Sequence, residues 1–176
     1  MIGTPPPSGF GNRYGNKYDQ PFLSTPRAFA CCAREFTRLS TDIVEAIVST
    51  FELPPEKIII RQSPERCIVQ VGTAALTVAW LRSTHDSVAE GELLVILWRG
   101  IVAPSLRFKP ERLTDPATIT ATALRETVFV ADATCEADWM WRSMEPISDR
   151  YTSANLARAV ADQLRTIHHD GLRESA

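Results

Sequence analysis

From Leu93 to Ala103 the chain is apolar at both parities: Leu, Val, Leu, Arg, Ile and Ala at odd positions, and Leu, Ile, Trp, Gly and Val at even ones. Side chains alternate across a strand, so a half-exposed strand would show polar residues at one parity, and here only Arg99 is charged. The pattern predicts a central strand covered on both faces, bounded by Gly91 and Pro104. Its β-branched and aromatic residues favour strand over helix, and the run is too short to span a bilayer.

The flanking patterns supply the other elements. Thr25 as N-cap with Pro26 at the first helical position opens a helix over 26–51, with Phe29, Ala33, Phe36, Ile43 and Ile47 as its apolar stripe. Asp42 with Glu45 reads as an internal capping box, which predicts a bend or a break into two helices. Lys57 to Gln62 and Arg66 to Val71 are β-rich runs joined by Ser63-Pro64-Glu65, a hairpin. Ala74 to Ser83 has one large face (Leu76, Val78, Trp80) and one small face (Ala75, Thr77, Ala79). The small face is expected to seat a helix, or else to floor a pocket. Residues 84–90 and 105–115 read as polar loops, residues 117–133 as one long strand or two short ones, and Glu136 to Arg142 as a strand with Trp139 and Trp141 on one face and Met140 and Arg142 on the other. A closing helix starts at Thr152 or Ser153, repeats Leu156, Val160, Leu164 and Ile167, and is expected to stop at Gly171. Short links imply antiparallel pairing. The expected fold class is therefore α+β: an N-terminal helical segment, an antiparallel sheet of five or six strands, and a C-terminal helix packed on the sheet.

Composition narrows the class. At 176 residues and 44% hydrophobic the chain has material for one ordinary core. Residues 1–23, rich in Pro, Gly and Tyr, are expected to form a flexible tail before a single domain over 24–172. Phe10, Tyr14, Tyr18 and Phe22 recur every fourth residue in that tail. Their intervening glycines disfavour a helix, so the rings are read as docking loosely on the domain rather than as a partner-binding stripe. The net charge of -2 arises from 19 basic and 21 acidic residues that are interspersed, so neither nucleic acid nor a membrane surface is an expected partner. The N-terminus lacks the apolar stretch of a secretory signal, which makes the cytoplasm the expected compartment and Cys31, Cys32, Cys67 and Cys135 reduced thiols. Their spacing does not suit zinc.

Three groups could carry chemistry. His85 with Asp86, and His168-His169-Asp170, contain the commonest acid-base residue, but adjacency in sequence does not orient an imidazole, and the second group sits where a helix end favours it. The acidic set Asp132, Glu136 and Asp138 lacks the alternation and glycine of a calcium loop and reads as solvated turn charge. The third group is Trp80, Trp98, Trp139 and Trp141 with Arg82, Arg99 and Arg142. Such residues build sheet cores and also anchor interfaces through large rigid contacts, cation-π stacking and forked hydrogen bonds. Trp80, Arg82, Trp98, Arg99, Trp139 and Trp141 are the candidate binding residues. Neither glycine-rich phosphate loops nor a nucleophile elbow is present. The sequence thus points to a non-enzymatic interaction or adaptor module acting through its sheet, with a protein partner or a second copy, and without metal or cofactor. The alternative is a small apolar ligand held in an apolar pocket between sheet and C-terminal helix.

Overall fold

The computed structural model describes residues 21–51, 53–83, 87–103 and 121–174. Helix α1 spans Pro26–Phe51 and follows a 3-10 turn, Pro21–Ser24, whose Leu23 is buried. Thr25 caps α1: its Oγ1 accepts the Ala28 N–H at 3.2 Å. Residues 21–23 of this turn belong by sequence to the expected tail, yet Leu23 joins the core and Phe22 packs against it. Phe10, Tyr14 and Tyr18 lie outside the described residues.

The helix runs unbroken through Ser40–Glu45, so the expected bend or break is absent. The Asp42 carboxylate reaches back one turn to Arg38 at 4.0 Å instead of capping. The buried stripe also shifts: Ala28, Cys32, Phe36, Leu39, Ile43 and Ile47 are buried, while Ala33 is exposed and Phe29 half-buried.

Seven antiparallel strands follow in chain order as a simple meander: β1 (Ile58–Ser63), β2 (Arg66–Val71), β3 (Ala74–Leu81), β4 (Glu92–Arg99), β5 (Thr122–Asp132), β6 (Met140–Ser143) and β7 (Arg150–Tyr151). The strand beyond the five or six expected is the two-residue β7, too short to show a period. Glu136–Asp138, expected to open a strand, forms a 3-10 turn. The Asp138 carboxylate draws that turn closed by accepting the N–H groups of Thr134 and Cys135, each at 2.9 Å. Helix α2 (Ser153–Glu174) is capped by Thr152, whose Oγ1 accepts the Asn155 N–H at 3.2 Å. It continues through Gly171 rather than stopping there. A Cβ at Gly171 would lie 3.2 Å from Thr73 Oγ1, so glycine serves the close passage of α2 over the β2–β3 turn.

Both helices cover one face of the sheet. Leu76, Val78, Trp80, Leu93, Val95, Leu97, Phe129 and Trp141 turn toward them and form one core with Phe36, Leu39, Ile43, Leu156, Val160 and Leu164. Burying these side chains away from water is the main force holding the layers together. The central position expected for 93–103 is seen in β4, fourth of seven. Its two faces differ: Leu93, Val95 and Leu97 are buried, whereas Leu94, Ile96 and Trp98 are half-buried on the face away from the helices. Among the described residues, no helix covers that second face.

One end of this face is closed by a polar clamp. Gln70 is buried, and its Nε2 donates to the carbonyls of Gly72, Ala74 and Gly100 at 2.8, 3.2 and 2.9 Å. Its Oε1 accepts the N–H groups of Val102 and Ala103 at 2.8 and 3.2 Å. One amide thus satisfies backbone groups that no ladder could reach. Gly100 makes the turn into this clamp at a φ of 111°, which a side chain would disfavour.

Candidate functional site

The structure divides the six candidate residues among different surroundings. Trp80, Trp139 and Trp141 come together beneath the helices, with ring centroids 5.9 Å apart for Trp80 and Trp141 and 5.6 Å for Trp139 and Trp141. All three are buried. The Trp141 indole N–H donates to Ser153 Oγ at 3.1 Å, and that hydroxyl donates to the Glu35 carboxylate at 3.0 Å, so one chain of hydrogen bonds ties β6, α2 and α1. Arg82 lies over the Phe29 ring, 4.7 Å from its centroid, and pairs with Glu65. Arg99 ends β4, half-buried, between Ala74 and Thr122. Trp98 alone of the tryptophans is on the open face, where its indole N–H reaches across to Thr77 Oγ1 at 3.0 Å.

The small face of β3 is placed differently from either expectation. Ala74, Leu76, Val78 and Trp80 belong to the helix-side core, so Ala75, Thr77 and Ala79 point the other way, next to Trp98, Ile96 and Leu94 of β4. They neither seat a helix nor floor a pocket beneath one. Short residues there leave room for the larger β4 side chains, and Trp98 uses that room.

The open face is ordered by strand register. One row crosses five strands as Arg61, Ile68, Thr77, Ile96 and Glu126; a second reads Ser63, Arg66, Ala79, Leu94 and Val128; a third reads Ile59, Gln70, Ala75, Trp98 and Ala123. Ile68, Leu94, Ile96, Trp98 and Val128 are therefore neighbours, and all are half-buried. At the β5–β7 end of this face Asp132 is buried between Arg142 at 3.5 Å and Arg150 at 3.0 Å.

The acidic set separates accordingly. Asp132 is a strand residue held by two arginines, Glu136 pairs with Arg27 and Arg34 of α1, and Asp138 closes its own turn. Hydrogen bonds from Thr134 and Cys135 hold the Asp138 carboxyl down at about 2. Among the described residues no group of three or more His, Cys, Asp or Glu is placed to hold a metal, and no helix is long and apolar enough to cross a membrane. His85 and Asp86 lie outside the described residues. His168 rests edge-on against Phe51, centroids 5.4 Å apart, and beside Gly72, a packing role at the α2 end.

On the helix side, a small cleft with a cavity of about 50 Å³ opens between α2 and strands β4–β7. Val95, Phe129, Leu156 and Val160 form its apolar back, while Arg125, Thr127, Glu145, Asp149 and Tyr151 surround its mouth. The sequence missed these residues. They come from three strands, a connection and a helix, and no local spacing relates them. Burial, together with the Asp149 carboxylate, raises the Tyr151 hydroxyl above its ordinary pKa.

All four cysteines are unpaired thiols, with Cys31, Cys32 and Cys67 buried and Cys135 exposed. Burial pushes Cys32 up to about 12 and raises Cys31 and Cys67 as well. These three thiols are protonated at pH 8, and the thiolate is the nucleophile. Treatment with a thiol reagent at that pH is expected to modify Cys135 alone until denaturant is added; rapid labelling of two or more sites in the folded protein would contradict this.

The chain matches no protein-family model, and neither a curated protein nor a solved structure matches it.

Proposed function

We propose that the protein is a non-enzymatic interaction module that works through the sheet face turned away from its helices, with a second copy of itself as the partner. The observation that carries this reading is the row Arg61, Ile68, Thr77, Ile96, Glu126. Reversed, it keeps its order of charged, apolar, polar, apolar and charged positions, with the two charges exchanged. A two-fold axis parallel to the strands and passing through Thr77 lays the Arg61 end of one copy over the Glu126 end of the other, and Ile68 over Ile96. That is the self-complementarity an isologous dimer needs. Sheets stacked face to face pack their inner side chains in this manner.

The surrounding residues suit the same use. Ile68, Leu94, Ile96, Trp98 and Val128 form an apolar centre, and Arg61, Arg66, Glu92, Glu126 and Arg142 a charged rim, which is the anatomy of a protein interface. Trp98 is the candidate anchor within it. Sedimentation across a concentration series tests the reading. The wild type is expected to dimerise, and Ile96→Glu to stay monomeric with its fold intact, because a buried glutamate facing an isoleucine lacks a partner. Arg61→Glu is expected to weaken the dimer and the added Glu126→Arg to restore it. A wild type that is monomeric at every concentration would overturn the proposal.

A further inference from the structure

We propose that the groove at the start of α1 seats the chain's own N-terminal segment, with the Tyr18 ring laid on the Arg82 guanidinium. The groove has a volume of about 410 Å³ and is lined by Ser24, Thr25, Pro26, Phe29 and Arg82. Pro26 and Phe29 make it apolar, while Ser24, Thr25 and Arg82 add polar groups. A tyrosine, apolar in its ring and polar at its tip, matches that mixture. The guanidinium is already oriented: Glu65 pairs with its Nε, and the Phe29 ring lies against one flat side, its centroid 4.7 Å from Cζ. The Arg82 side chain is nonetheless 45% exposed. A planar guanidinium has two faces, so a second ring can stack on the side away from Phe29, drawn by the same attraction of a cation to an aromatic face.

The course of the chain selects the occupant. The Thr25 hydroxyl donates to the Phe22 carbonyl at 2.7 Å and the Thr25 N–H donates to it at 3.0 Å, which fixes the turn Pro21–Ser24 beside the groove. Residues 1–20 therefore join the fold at Pro21, close in sequence to Ser24 on the groove wall. Tyr18 precedes Pro21 closely enough to lie within about 11 Å of it even at full extension. Phe22, the next member of the four-residue aromatic series, already packs against the core. A tethered ring meets the groove at an effective concentration on the order of millimolar, and it avoids the association cost that a separate partner carries. Phe29 belongs to α1, so the groove is on the helix side and stands or falls separately from the dimer face.

The test labels the full chain with 3-fluorotyrosine and follows its tyrosines, Tyr14, Tyr18 and Tyr151, by fluorine NMR. Tyr18 is expected away from the free-tyrosine position at every protein concentration and to return toward it in Arg82→Ala. Arg82→Lys should return it in part, because lysine keeps the charge but lacks the flat face. Tyr151, on β7, should not move in either variant, which separates lost stacking from a lost fold. Tryptic cleavage after Lys17 is expected to run roughly two- to fivefold faster in Arg82→Ala, the factor that one exposed cation-π pair carries. A wild-type Tyr18 resonance at the free-tyrosine position, an unchanged resonance in Arg82→Ala, or a displacement lost on dilution, which would put a second copy in the groove, would each overturn the proposal.

Discussion

A Trp141→Ala variant is expected to lose about 3–5 kcal/mol of unfolding free energy, the range for removing a large aromatic from a packed core. Trp141 is completely buried, touches both Trp80 and Trp139, and sits where β6 meets the start of α2. Its removal opens a cavity beside two rings and also strands a hydroxyl: Ser153 Oγ keeps Glu35 as acceptor but loses the indole N–H it accepts. Trp141→Phe separates these effects. It retains most of the ring and removes the N–H, so about 1–2 kcal/mol of the loss should remain, within the range for one buried hydrogen bond. Urea unfolding of the three proteins, compared at equal slope, measures both differences. A Trp141→Ala loss under about 1 kcal/mol would show that the three-tryptophan cluster is not the hub of this core.

Gly91→Ala is the second large effect, about 1–3 kcal/mol destabilising through overpacking. Gly91 has a φ of -75°, so an alanine backbone is unstrained there and the cost is one of space. An added Cβ would fall 2.3 Å from Trp80 Cζ2 and 2.7 Å from Cη2. Trp80 cannot swing aside freely, because Trp141 holds its other side. The mechanism makes a sharper statement than the magnitude: a smaller ring at position 80 should relieve the clash. In a double-mutant cycle, Gly91→Ala is expected to cost much less in a Trp80→Leu background than in the wild type. Equal costs in the two backgrounds would point to the chain direction at Gly91 rather than to the indole.

The two stability variants and the dimerisation test probe different sides of one sheet. Trp141 and Gly91 act on the helix-side core, and Ile96 and the Arg61 and Glu126 pair act on the open face. A variant on one side is expected to leave the readout of the other unchanged, since the helix-side core and the open face share no side chain. Arg82 stays outside both, stacked on Phe29.

The sequence by itself determined the elements whose signals are local. Thr25-Pro26 and Thr152 set the helix starts, the 3.6 period selected Phe36, Ile43 and Ile47 in α1 and Leu156, Val160 and Leu164 in α2, and the two-sided apolar run of 93–99 marked the central strand. Short links then required antiparallel pairing. What alternation cannot say is which parity faces the helices, because both parities of β3 and β4 are apolar; only the packing of α1 and α2 together on one side made Leu93, Val95 and Leu97 core and left Leu94, Ile96 and Trp98 outside. The same decision split the tryptophans three to one and put Ala75, Thr77 and Ala79 beneath Trp98 rather than beneath a helix. Likewise, the single Gln70 clamp, the Asp132 ion pairs and the cleft mouth join residues far apart in the chain. Their distances arise from strand register and layer packing, quantities that exist only once the whole sheet has closed against its helices.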